Sequence, residues 1–409
     1  MTAISPLAPA RFPDMPAVAG VLLAAAEARL RYRGRPDLLL AAFAPGTSVA
    51  GTLTRSETAA PPVHWCRALL GEGGARALVV NAGNANAATG QQGHAAVRQT
   101  AEAAAALVGC SADEVYISST GVIGEQLPVE KLTAALSALH ARLSDDAWPA
   151  AAAAIMTTDT YPKGASATAE IDGGPVVING IAKGSGMIAP NMGTMLAYVF
   201  TDANLSAAAL GPALRRGVNR SFNAITVDGD TSTNDTCLLF ATGAARHRPV
   251  TRAGDPRLRA FRAALEAVLT DLAQQIVRDG EGAQKLVAIA VRGAASEAAA
   301  RKLGLAIANS PLVKTAIAGE DPNWGRIVAV VGRAGVAFDQ GQLSIWIGAE
   351  RAARDGVADP AFDEPAAARH MKGQEIEIAV EIGSGPGTAT VWTCDLTHGY
   401  IEINADYRS

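Results

Sequence analysis

The clearest periodicity in the chain lies over 256–278, where Phe261, Leu265, Val268, Leu269, Leu272 and Ile276 recur at helical spacing. Asp255 is placed to cap this helix, Pro256 suits its first position, Arg278 suits its last turn and Gly280 ends it. Gln92–Leu107 and Val129–Leu143 carry the same one-sided pattern and predict two further amphipathic helices. Short apolar runs predict buried strands at Ala77–Val80, Val115–Ile117, Val176–Ile181, Thr194–Phe200 and Leu286–Val291. Toward the C-terminus the period changes to two. Leu343–Ile347, Ile376–Ile382, Thr388–Trp392 and Tyr400–Ile403 read as strands, with Glu375, Glu377 and Glu381 alternating against Ile and Val. Helical and strand patterns interleave without a solenoid repeat, so the expected fold class is an α/β (α+β) layered sandwich with mixed sheets.

Composition narrows the function classes. A chain of 409 residues, 49% hydrophobic, has room for two domains or one large layered one. The net charge is −4, and the densest basic patch, Arg246, His247, Arg248 and Arg252, reads as a solvated loop. No basic face with interleaved aromatics is present, so no nucleic-acid partner is expected. Val21–Leu30 is apolar but short and interrupted by Glu27 and Arg29, and no run approaches the roughly 20 residues of a membrane span. With no signal pattern at the start, a cytoplasmic location is expected and no membrane partner. Cys66, Cys110, Cys237 and Cys394 form no CxxC pair and read as buried or free thiols. The histidines form no ligand cluster, so no metal site is expected.

Five segments have unusual chemistry. Lys183–Leu196 is glycine-rich and can bring backbone N–H groups to an anion. It is not a Walker A loop. Gly184, Gly186 and Ala189 fit a loose dinucleotide pattern, but Pro190 falls where the helix should start, and periodicity alone favours a turn feeding a buried strand. Ser118–Gly124 follows a strand and sets a hydroxyl beside a glycine N–H, the makings of an oxyanion hole or of an ordinary turn. Thr157, Thr158, Asp159 and Thr160 suit a helix terminus. Glu281 sits between two glycines and is either a cation ligand or solvated, and the asparagines of 81–87 suit local backbone bonds.

Taken in order, eight segments resemble the ornithine acetyltransferase family, the bifunctional glutamate N-acetyltransferases of arginine biosynthesis. They are Ala-Ala-Pro-Pro-Val at 59–63, Asn-Ala-Gly-Asn-Ala-Asn-Ala at 81–87, Ser-Ser-Thr-Gly-Val-Ile-Gly at 118–124 and Ile-Met-Thr-Thr-Asp-Thr at 155–160. The others are the Lys183–Leu196 stretch, Asp-Gly-Glu-Gly-Ala at 279–283, Gly-Glu-Asp-Pro-Asn-Trp-Gly-Arg at 319–326 and the tail from Asn404 to Ser409. The resemblance implies a precursor that cuts itself between Gly193 and Thr194, giving an α chain of 1–193 and a β chain of 194–409 that stay together, at least as α2β2. It implies a fold similar to that of the self-processing aminopeptidases. Gly193 stands where the family usually has alanine, and Ala82 and Ala88 stand for a serine and a cysteine. Glycine is small enough to accept the strained backbone of an N→O acyl shift, so cleavage is expected to persist.

The resemblance further implies a ping-pong acetyl transfer from N2-acetylornithine to glutamate through acetyl-Thr194, with the freed α-amine as base. Thr120 and Gly121 would form the oxyanion hole. Lys183 would meet the shared α-carboxylate, Thr160 or Thr158 the acetylated amino acid, and Glu281 the side-chain ammonium of ornithine. Asn404 and Ser409 would close the pocket. No cofactor is needed for the exchange, with acetyl-CoA left open as a second acetyl donor. Two other readings remain at this stage: a self-processing aminopeptidase or amidase, with water as acceptor, and a metabolite-binding protein built on the glycine-rich loop.

Overall fold

The computed structural model describes residues 3–189 and 195–405. It divides into two compact units. The larger is built from Pro9–Phe222 and Asp230–Ile276, the smaller from Val277 onward, Asn223–Gly229 and the N-terminal residues up to Ala8.

The strands of the larger unit are β1 (Val21–Ala26), β2 (Leu38–Phe43), β3 (Ser48–Leu53), β4 (Ala77–Asn84), β5 (Val115–Val122), β6 (Lys163–Ile171), β7 (Gly174–Lys183), β8 (Leu196–Thr201) and β9 (Thr236–Ala241). Its helices are α1 (Pro61–Leu69), α2 (Gly90–Val108), α3 (Val129–His140), α4 (Trp148–Ala154), α5 (Ala207–Arg220) and α6 (Arg259–Arg278), whose last two residues count with the smaller unit. One sheet runs β1-β2-β4-β5 and the other β3-β9-β8-β7-β6. The pairs β4–β5 and β8–β9 are parallel. Such pairs need long crossovers, and α2 and α5 supply them. The β6–β7 hairpin closes through Asp172 and Gly173, both at positive φ (53° and 78°), the conformation an Asp-Gly pair accepts in a two-residue loop.

The two sheets face each other across a core of Leu39, Leu78, Val80 and Tyr116 on one side and Leu196, Tyr198, Phe200 and Phe240 on the other. On the far face of the first sheet, Val97 and Ala101 of α2 and Leu132 and Leu136 of α3 pack on Leu38, Leu40, Val79 and Ile117. On the far face of the second lies α6, drawn close by Gly180 of β7, where an added Cβ would stand 2.7 Å from Leu272. The result is the layered sandwich with mixed sheets that the interleaved periodicity predicts. Strands covered on both faces read as unbroken apolar runs, which is why β4 and β8 show no alternation in the sequence.

The smaller unit holds β10 (Leu286–Gly293), β11 (Ser344–Ile347), β12 (Glu350–Arg354), β13 (Val357–Ala358), β14 (Glu375–Glu381) and β15 (Gly385–Cys394), in the order β13-β12-β11-β14-β10-β15. Its helices are α7 (Glu297–Ala308), α8 (Pro311–Ala318), α9 (Trp324–Arg333), α10 (Glu364–Met371) and α11 (His398–Ala405). Leu303, Ile307, Val330 and Val331 pack on Val287, Ile289, Ile378, Val380 and Val391. Glu375, Glu377 and Glu381 stay exposed on the other face of β14, as the alternation requires.

The terminal element departs from expectation. Tyr400–Ile403 lies inside α11 and is not a strand. Thr397 caps the helix, its hydroxyl accepting from Gly399 N–H at 3.2 Å, and the Asn404 amide donates to the Tyr400 carbonyl one turn back at 3.0 Å. Four alternating residues are too few to separate the two periods, and the cap decides. Three further expectations are met. Asp255 caps a short turn of 3₁₀ helix that leads into α6, the Asn81–Asn86 amides bond to nearby carbonyls, and the cysteines are free, with Cys66, Cys237 and Cys394 buried.

Candidate active site

Thr120 and Gly121 stand at the end of β5, where the ladder to β4 slips so that Asn84 lies opposite both Thr120 and Val122. Gly121 has φ +135°, and a Cβ there would fall 2.2 Å from the Gly83 carbonyl carbon and 2.5 Å from Asn84 N. Only glycine fits this backbone. Lys183 ends β7 in the facing sheet and is buried, and its Nζ donates to Thr120 Oγ1 at 3.4 Å. The structure therefore brings together, across the two sheets, the two residues expected to bind a carboxylate and an oxyanion.

Beside Lys183 lies Asp159, from the loop joining α4 to β6. Its carboxylate bonds Lys163 Nζ at 2.6 Å and stands 4.0 Å from Lys183 Nζ. It also accepts from Gly184 N–H at 2.7 Å and Thr157 N–H at 2.9 Å. Burial alone would push this carboxyl up. The Lys163 and Lys183 charges, with the Gly184 N–H, outweigh that and hold it well below the usual carboxylate range. Two ammonium groups thus share one carboxylate, and the cluster favours a further anion. Thr158 Oγ1 lies 2.6 Å from Ser185 Oγ in the turn after Lys183, and Thr160 is half-buried in the same loop as Asp159.

The Met195 N–H donates to Asp235 Oδ1 at 2.8 Å. Leu196 then opens β8 opposite Lys183. Gly193 and Thr194 lie outside the described residues, as does Ser409. In the smaller unit, Glu281 is buried in the loop after α6 and accepts from the Asn404 amide at 2.8 Å. That loop is pinned by Asp395, which accepts from Gln284 N–H and Lys285 N–H at 2.9 and 3.0 Å, and by Thr397, which donates to the Gly282 carbonyl at 2.6 Å.

Asp159 and Asp235 were not legible as site residues. Asp159 sits in a Thr-Thr-Asp-Thr run that has the look of a helix terminus. Asp235 ends the polar stretch Asp228–Asp235, which reads as a solvated loop, although Asp235 is wholly buried. A buried strand immediately after it was the one available hint.

The sequence model of the ArgJ family matches residues 22–409. The chain belongs to the ArgJ family. Curated ArgJ relatives match it end to end. The arginine biosynthesis bifunctional protein ArgJ of Agrobacterium fabrum is 55% identical over 410 residues, 100% of this chain and 99% of that one. Its counterpart from Rhizobium meliloti is 56% identical over 99% of both chains. The crystal structure of the Bacillus halodurans ArgJ protein is 42% identical, with a TM-score of 0.50, over 51% of this chain and 98% of the solved one. ArgJ proteins are acetyltransferases, and this chain is an enzyme of that class.

Proposed function

We propose that the chain is a self-cleaving acetyltransferase of arginine biosynthesis, moving the acetyl group of N2-acetylornithine to glutamate through an acetyl-Thr194 intermediate. The observation that carries this reading is the contact between Lys183 and Thr120 at the strand ends beside the glycine-rich turn. Because the Thr120 oxygen accepts from an ammonium, its own hydrogen is polarised and left to donate to a developing oxyanion. The Gly121 N–H is the second donor, and the Lys183 charge meets the α-carboxylate common to both substrates.

The cut before Thr194 exposes an α-amine on the nucleophile itself. Its ordinary pKa, about 7.7–8.0, suits a base at neutral pH. The amine takes the Thr194 hydroxyl proton as Oγ attacks the acetyl carbonyl, and returns it to the ornithine nitrogen as the C–N bond breaks. Glutamate then attacks the acetyl ester with its α-amine, restoring free Thr194. One amide replaces another, so the exchange itself needs no coenzyme. Acetyl-CoA as a second donor would be a separate activity of the same acyl-enzyme. Thr160 or Thr158 contacts the acetylated amino acid, Glu281 takes the ornithine ammonium, and Asn404 and Ser409 close over it. The enzyme works in the cytoplasm as α and β chains, 1–193 and 194–409, assembled as α2β2 or larger. A two-chain product is supported by the Bacillus halodurans match, where about half of this chain accounts for nearly all of the solved one.

The test is a denaturing gel with N-terminal sequencing, followed by an assay of acetyl transfer against acetate release. The expected result is two bands, one beginning Thr194-Met195-Leu196, and acetylglutamate formed without free acetate. A single intact chain after prolonged incubation defeats the mechanism. A cut protein that releases acetate is instead an amidase.

A further inference from the structure

The polar stretch before β9 ends in two consecutive residues that bond in opposite directions. The Asn234 amide donates to the Ser119 carbonyl at 2.9 Å and to the Ala85 carbonyl at 2.7 Å. The Ser119 carbonyl belongs to the peptide unit whose nitrogen is that of Thr120. Its neighbour Asp235 accepts the Met195 N–H, and this is the peptide unit that begins at the Thr194 carbonyl. The pair is itself held fast. Thr54 N–H donates to the Asp235 carbonyl at 2.9 Å, the Thr54 hydroxyl to the Ser232 carbonyl at 2.9 Å, and Thr236 N–H to the Met195 carbonyl at 3.1 Å.

We infer that Asn234 and Asp235 form a clamp that sets the spacing between the nucleophile's peptide and the strand end carrying Thr120 and Gly121. Both are positioning residues: neither touches the reacting atoms in this assignment. The inference rests on the Thr194 reading above. Asp235 is wholly buried, and burial pushes its carboxyl well up against the opposing pull of the Met195 N–H, Lys183, the Ser232 N–H and the Thr54 hydroxyl. Burial disfavours the ionised form of this carboxyl, and its place suits a group that holds one oxygen against a fixed N–H.

The test compares wild type, Asp235→Ala, Asp235→Asn and Asn234→Ala for rate of self-cleavage, kcat, KM and melting temperature. Asp235→Asn keeps the accepting oxygen and stays close to wild type in cleavage and kcat. Asp235→Ala and Asn234→Ala lose roughly 100-fold in kcat, the scale of an ångström-level misplacement, with KM nearly unchanged. A merely structural role lowers the melting temperature and leaves the kcat of the folded fraction alone. Wild-type kcat in both alanine variants overturns the clamp, as does an Asp235→Asn protein as slow as Asp235→Ala. Should Asp235→Ala fail to fold, the other two variants still decide. If wild type stays uncut, the Thr194 reading falls and the clamp with it. If wild type is cut and the alanine variants are cut and turn over equally fast, only the clamp falls.

Discussion

Replacing Asp159 with alanine tests the electrostatics of the site directly. The Asp159 and Lys163 side chains are fully buried and their charged atoms are 2.6 Å apart, with Lys183 4.0 Å away on the other side. Removing the carboxylate leaves two ammonium groups in a dry interior and orphans the Gly184 and Thr157 N–H groups. Breaking such a pair from one side costs about 3–5 kcal/mol. At roughly 2–4 °C per kcal/mol for a unit of this size, the melting temperature falls by about 6–20 °C. Adding Lys163→Met to the same protein recovers part of that, because one of the two ammonium groups is then gone as well. The pH dependence has a definite sign. The folded-state pKa of Asp159 lies below its unfolded value, so its contribution is present above about pH 4 and is lost as pH falls below that. The gap between wild type and Asp159→Ala, measured by thermal unfolding across pH, should therefore be widest near neutrality and close in acid. A variant that melts within about 1 kcal/mol of wild type at pH 7 refutes this account, and so does a double variant worse than the single one.

Gly121→Ala places a methyl 2.2 Å from the backbone of β4 at φ +135°, and the combined strain and overpacking costs roughly 2–6 kcal/mol. Thermal melts should show that loss, together with a fall in kcat of about 100-fold or more as the Gly121 N–H is displaced. Glu281→Gln removes the charge that Asn404 steadies, and should raise KM for acetylornithine by about tenfold or more while leaving KM for glutamate little changed; equal effects on both would refute the ornithine assignment. Asp235 has its folded pKa raised, so its share of stability is full below about pH 4 and declines as pH rises. Asp235→Asn, which does not titrate, should accordingly gain stability relative to wild type as pH rises above about 4 in parallel melts.

The elements that the sequence makes legible are those with a long or pure period. α6 repeats its apolar stripe from Phe261 to Ile276, and β14 keeps its glutamates strictly on one face. The alanine-rich first strand and the two-residue β13 carry too little pattern to stand out. The loops of the candidate site are recognisable because their residues follow a known order of motifs, not because of local physics. Local physics alone favours a turn and a cap for Lys183–Leu196 and Thr157–Thr160. What separates Asp159 and Asp235 from ordinary loop acids is burial against partners that include residues far along the chain, Lys183 and Gly184 for the first and Met195 for the second. No window of sequence displays that.

The strand order β3-β9-β8-β7-β6 has a bearing on timing. If the chain is cut before Thr194, β3, β6 and β7 belong to one product and β8 and β9 to the other, and the later pair sits wedged between strands of the earlier product. Neither piece alone can complete the sheet, and each would leave unsatisfied strand edges open to aggregation. Synthesis as one polypeptide is then the assembly device: folding must come first and scission second. Under that reading, halves expressed as separate genes would have to insert a hairpinless pair of strands into a gap in their partner, a step that one continuous chain avoids.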